Sequence, residues 1–253
     1  MTARRAVAAL ALAAALPALA YVLPPAAILR RLGERRAALE LSALEVTGTV
    51  QLLGPAADRL ASVGVPRPPG GELSAPARFL MKIPGRCRLE LALPEVAEAA
   101  RPFVAVRDGA VTGRGGLDAV PAAVALVRST CALIGQSTQG DATDVYASVL
   151  ARRGVALTDA SLGRFDGRIA YVIGGRERDA KPLLFVDKDG FQPLRLVSPE
   201  GGALQDVRLL GWGSNVGGDW FPRAVEVLEG GALRLRFTTD HAQANPKIAD
   251  GMF

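Results

Sequence analysis

Leu44-Glu45-Val46-Thr47-Gly48-Thr49-Val50-Gln51-Leu52-Leu53 is the stretch whose reading decides the fold class. Leu44, Val46, Gly48, Val50 and Leu52 fall on one face of an extended chain, and Glu45, Thr47, Thr49 and Gln51 on the other. Successive side chains of a strand point to opposite sides, so ten residues of strict alternation describe a strand with one face on a core and one face wet. Working outward, related patterns recur at residues 79–83 and 86–93, joined at Pro84-Gly85, and at 103–107, which ends at Asp108-Gly109. Beyond Gly154 they return at 168–173, 183–186, 193–197, 204–210, 220–227 and 232–238, bounded by Gly, Pro and Asp. Residues 187–190 and 229–231 have the composition of hairpin turns. Strands a few residues apart, joined by such turns, predict an antiparallel sheet of about ten strands and disfavour βαβ units.

Three segments carry helical spacing instead. Residues 28–41 set Ile28, Leu29, Leu32, Leu39 and Leu41 against Arg30, Arg31, Glu34, Arg35 and Arg36, with Pro24 and Pro25 just ahead, where prolines are tolerated. Residues 122–136 place Val124, Val127, Cys131 and Ile134 at helical intervals, and 142–152 form the third. Residues 54–76 are rich in Pro and Gly and weakly periodic, which reads as a flexible insertion.

The first twenty residues are of another kind. Arg4 and Arg5 precede an almost unbroken Ala/Val/Leu run over 7–19, and Ala18-Leu19-Ala20 ends it with small residues at both positions a signal peptidase reads. A charged start, an apolar run of about a dozen residues and a small-x-small exit form a secretory signal, shorter than the roughly twenty residues that span a bilayer. The expected organisation is a signal peptide over 1–20 and one domain over 21–253, exported to the periplasm. Removing the leader takes the formal net charge from +5 to +3. The arginines are scattered among carboxylates, as in Arg176-Glu177-Arg178-Asp179, and form no stripe of the kind that binds nucleic acid. Cys87 and Cys131 are the only cysteines. In an oxidising compartment they form either a disulfide or two separate buried thiols. With His241 they make no metal-ligand set.

Catalytic patterns are missing. No Gly-x-Ser-x-Gly elbow accompanies His241, and no phosphate-binding Gly-Lys-Ser/Thr loop or dinucleotide fingerprint occurs. Gly113-Arg114-Gly115-Gly116 reads as a loop. Asp141 with Asp144, and Asp187 with Asp189, are carboxylates of helix starts and turns, where their ordinary role is structural. The expectation is a protein that is no enzyme and carries no cofactor. A curved, incompletely closed sheet with helices over one face would leave a concave apolar interior, the shape of small-ligand and acyl-chain sites. The alternative is an envelope protein-binding or sensor module whose core is filled by its own side chains, with Trp212 and Trp220 around a Gly-rich turn as its exposed surface.

Several stretches resemble a known family. The leader, the helix with Ile28-Leu29-Arg30-Arg31-Leu32 and the strand at 44–50 resemble the start of the periplasmic outer-membrane lipoprotein carrier proteins. Residues 168–174, 184–188 and 193–196 resemble that family's paired strands, and the ending 245–253 is similar to its closing Asn-x-x-Ile-x-Asp-x-x-Phe pattern. The resemblance implies an α+β, mainly β fold: a curved antiparallel sheet forming an incomplete β-barrel with covering helices. It also implies a lipid or lipoprotein carrier that shields acyl chains between membranes as a monomer. Its partners would be acylated lipoproteins or other lipids, an inner-membrane release complex and an outer-membrane acceptor. The expected cavity lining is Phe79, Met81, Ile83, Leu89 and Leu91 from the first strands and Tyr171, Ile173, Phe185, Val225 and Phe237 from the later ones. Val124, Val127 and Ile134 would line it from the covering helix.

Overall fold

A computed structural model describes residues 22–61, 71–93, 96–136 and 141–253. The leader lies outside the described residues, as does the middle of the 54–76 stretch. Among the described residues twelve strands form one antiparallel sheet, with four α-helices beside it.

The first helix, α1 (Pro25–Ala37), starts on Pro25 at its first turn and buries Ile28, Leu29, Leu32 and Arg36 along one stripe. It is followed by β1 (Ala43–Leu53), α2 (Pro55–Ala61), β2 (Glu72–Lys82), β3 (Arg86–Leu91), β4 (Phe103–Arg107) and β5 (Ala110–Arg114). Two helices then interrupt the strands, α3 (Pro121–Ile134) and α4 (Ala142–Arg152). The chain continues through β6 (Ala160–Phe165), β7 (Arg168–Ile173), β8 (Leu183–Asp187), β9 (Pro193–Glu200), β10 (Ala203–Leu210), β11 (Ala224–Glu229) and β12 (Ala232–Ala244). The ends of the 54–76 stretch are therefore regular structure and no flexible insertion: Ala56, Ala57 and Leu60 of α2 are buried, and residues 72–76 belong to β2.

Spatial order in the sheet is β5-β4-β3-β2-β1-β12-β11-β10-β9-β8-β7-β6. Each half is a meander, and the two halves meet only where β1 pairs with β12. Two hairpins turn on Asp-Gly pairs with positive φ at both positions, Asp108-Gly109 and Asp166-Gly167, the turn whose twist matches that of its strands. The β1–β12 ladder shifts register between Thr47 and Gly48. A β-carbon on Gly48 would collide with the carbonyl of Thr238, so only glycine lets the backbones approach there.

The sheet is curved and open. Helix α3 packs against β3 and β4 and also against β9 to β12, strands that β2 and β1 separate in the sheet, so the sheet wraps around it. The outer strands β5 and β6 do not pair with each other. This is the expected incomplete barrel with covering helices, with two more strands than the sequence suggested. Twelve of the fourteen residues of α3 are buried, as befits a helix that is apolar nearly all round. Its last carbonyls are satisfied from neighbours: Tyr146 Oη donates to Leu133 O at 3.0 Å and Arg36 Nη2 to Ile134 O at 3.4 Å. Burial pushes the Arg36 guanidinium down to about 10 and the Tyr146 hydroxyl up to about 12. Among the described residues no helix is long and apolar enough to cross a membrane.

Candidate functional site: the concave interior and an arginine-lined cleft

The register sorts the expected lining residues by face, because residues directly opposite one another in an antiparallel ladder share a face. Phe79 lies opposite Val46 and Leu89, Met81 opposite Leu44 and Cys87, and Leu91 opposite Ala77. Cys87 is joined to Cys131 of α3, so this is the concave, helix-covered face. Phe237 lies opposite Val50 and Val225 and shares it. Tyr171 and Ile173 lie opposite Val186 and Leu184, and Leu184 opposite Leu196, which continues the same face through Val207 and Val227. Eight of the strand residues thus share the interior with Val124, Val127 and Ile134 of α3, all in one buried core.

Two expected residues are elsewhere. Phe185 pairs with Val172 and Arg195, which puts it on the convex face, opposite in direction to Tyr171 and Ile173. There its ring packs on Phe165 with centroids 6.0 Å apart, and the Arg195 guanidinium sits 4.9 Å from its centre. Ile83 is no strand residue: β2 ends at Lys82, and Ile83 begins the turn to β3, half-buried at the margin of the core. Sequence reasoning also missed Phe221, fully buried between Phe79 and Phe237 with ring centroids 5.4 and 6.0 Å away. It lies in the loop before β11, where residues 220–223 form no strand. Trp212 is not part of an exposed surface, because it is buried and its Nε1 donates to Pro193 O at 2.9 Å. Trp220 is exposed. His241 is exposed on β12, opposite Thr47.

None of the thirteen residues is on the wall of an open cleft with a volume of about 690 Å³. This cleft lies between the turns at Pro84-Gly85 and Asp108-Gly109 on one side and the last turn of α4 with Pro199 of β9 on the other. Its apolar floor includes Val106, Ala132, Val149 and the disulfide-bonded Cys131. Its charged wall is Arg128 of α3 with Arg152 and Arg153 at the end of α4. Arg128 Nη1 grips both carboxylate oxygens of Glu200 at 3.1 and 3.0 Å, and its Nη2 donates to Gly109 O at 3.1 Å. Arg153 stands 3.9 Å from the same Glu200 and 3.5 Å from Ser198 Oγ. Burial pushes the Arg153 guanidinium down to about 10, with Glu200 opposing that shift. The sequence signal was Arg128 itself, the one charged residue inside the apolar run of α3.

No protein-family model matches the chain, and no curated protein matches its sequence. Among solved structures it is similar to a LolA superfamily protein from Nitrosomonas europaea, at 13% identity over 92% of this chain and 98% of that one, with a TM-score of 0.46. It is similar to a DUF1329 family protein from Desulfovibrio piger, at 11% identity over 91% and 98%, TM-score 0.44. A third such structure is a domain described as that of an outer membrane lipoprotein-sorting protein from Vibrio parahaemolyticus, at 10% identity over 89% and 96%, TM-score 0.44.

Proposed function

We propose that this chain is a periplasmic carrier that shields acyl chains of lipids or lipoproteins in the concave face of its sheet. The observation that carries the reading is the placement of α3. This apolar helix crosses the concave face, is not paired into the sheet, and packs against β3, β4 and β9 to β12, the strands that carry Leu89, Leu91, Val225 and Phe237, in one core with Phe79, Met81, Tyr171 and Ile173. Moving it outward would uncover a continuous apolar trough. An acyl chain laid there would recover about 0.8 kcal/mol per buried methylene. The sequence resemblance to the lipoprotein carriers and the secretory leader support the same reading. Under it, cargo arrives from an inner-membrane release complex and leaves to an outer-membrane acceptor.

The test is native mass spectrometry of the chain recovered from periplasm, paired with titration of a fluorescent fatty acid. Bound lipid, or fatty-acid binding that Val127→Asp in α3 weakens about ten-fold or more, is the expected result. A lipid-free chain that ignores the fatty acid would overturn the proposal. The filled, contiguous core favours a second reading, an envelope interaction module that works through its surface around Trp220. That reading expects a protein partner whose binding is lost in Trp220→Ala and indifferent to lipid.

A further inference from the structure

The arginines of the cleft outnumber what neutralises them. Glu200 is the carboxylate between Arg128 and Arg153, and Arg128 holds it in a two-pronged grip. Arg153, whose side chain is only 13% exposed, is left with the two longer contacts already described. Arg152 spends one N–H on Ser148 Oγ at 2.6 Å. Asp108, also on the wall, is 82% exposed and stands 3.9 Å from Arg107. A guanidinium has five N–H donors in a planar fork, so Arg152 and Arg153 keep donors in hand. They stand beside a low-dielectric floor of Val106, Ala132 and Val149, which strengthens the field above it.

We propose that this cleft binds a phosphate group, with Arg152 and Arg153 as its ligands and Glu200 as the internal anion that it partly displaces. Phosphate matches the fork geometry of arginine and carries enough charge for both side chains. Ala132 and Cys131 of α3 line the cleft, so a phosphate held here stands next to the helix under which the carrier reading lays an acyl chain. The preferred ligand is therefore an anionic phospholipid. That choice rests on the acyl-carrier reading, whereas the phosphate site does not.

The experiment compares lysophosphatidic acid with a monoacylglycerol of the same chain length, on the disulfide-bonded protein at low salt. The phosphate-bearing lipid is expected to bind about ten-fold tighter or more. Arg152→Gln, a change at an exposed side chain, should erase that preference and leave the uncharged lipid's affinity unaltered. Glu200→Gln, which removes the competing carboxylate, should raise the preference. Equal affinity of the wild type for the two lipids overturns the phosphate site and leaves the carrier reading standing. If neither lipid binds, the decisive arm is thermal stabilisation by millimolar inorganic phosphate. A rise in Tm that Arg152→Gln abolishes upholds the site while the carrier reading fails, and no rise overturns the site as well.

Discussion

Single residues show where packing overrides local preference. Gly33 sits inside α1, where alanine is ordinarily better by about 1 kcal/mol. A β-carbon there would overlap Cβ of Ala142, at the start of α4, so glycine lets the two helices approach. Overpacking costs about 1–3 kcal/mol and should win. Gly33→Ala is expected to destabilise the protein by about 1–2 kcal/mol in chemical denaturation, and Ala142→Gly in the same chain should restore part of the loss. At this scale much of the interior was legible, because alternation assigns a face wherever the other face is polar. Phe79, Met81, Val225 and Phe237 were readable for that reason. Phe185 was not, because all five residues of β8 are buried and a continuous apolar run carries no parity. The Arg128, Arg152, Arg153 cleft was hidden differently, since it assembles side chains from α3 and α4 with a carboxylate from β9.

At the scale of elements, the two strands that sequence reasoning overlooked are β5 and β6, the two edges of the sheet. Neither buries a face: no residue of either is fully buried, so neither needs an apolar alternation. Gly113, taken for part of a loop, is a residue of β5 whose missing side chain leaves room for Asp118. The link from β3 to α3 is covalent, with the Cα atoms of Cys87 and Cys131 5.8 Å apart. Closing that 44-residue separation restricts the unfolded chain, and replacing both cysteines by alanine is expected to lower the unfolding free energy by about 3–4 kcal/mol. Denaturant titration of the two forms checks it. A second tie is the last segment, which crosses the convex face: Lys82 and Arg86 meet the Asp250 carboxylate and Arg88 Nη1 donates to Met252 O. The Lys82 hydrogen bond, followed by its charge, holds the Asp250 carboxyl below its ordinary 3.8. A carboxyl depressed on folding contributes fully above the unfolded value and loses that contribution as pH falls through the lower folded value. The amides of Met252 and Phe253 should therefore lose protection on acidification below 3.8, measured by hydrogen exchange, and Asp250→Asn should remove the pH step.

For the whole molecule, what could be read was the class of architecture, and what could not was the order of strands. Hairpin turns of two residues tell which neighbours pair, as at Asp108-Gly109, but nothing local tells that β12 returns to lie beside β1. That pairing follows from the β5-to-β6 crossing through α3 and α4, which takes the chain from one edge of the sheet to the other and leaves a second meander to run back inward. The crossing helices and the lid are consequently the same object. A chain that meanders out to one edge and returns from the other must carry its connection over a face of the sheet, and here that connection is apolar enough to be the core.

The seam between β1 and β12 has a consequence in time. It joins residue 44 to residue 244, while every other ladder of the sheet among the described residues joins strands adjacent along the chain. Local hairpins close quickly and distant pairings slowly, so the central ladder is the late step of folding. During synthesis, every incomplete length of chain has β1 with β2 on one side and without β12 on the other. The topology itself postpones the native state until the last strand has cleared.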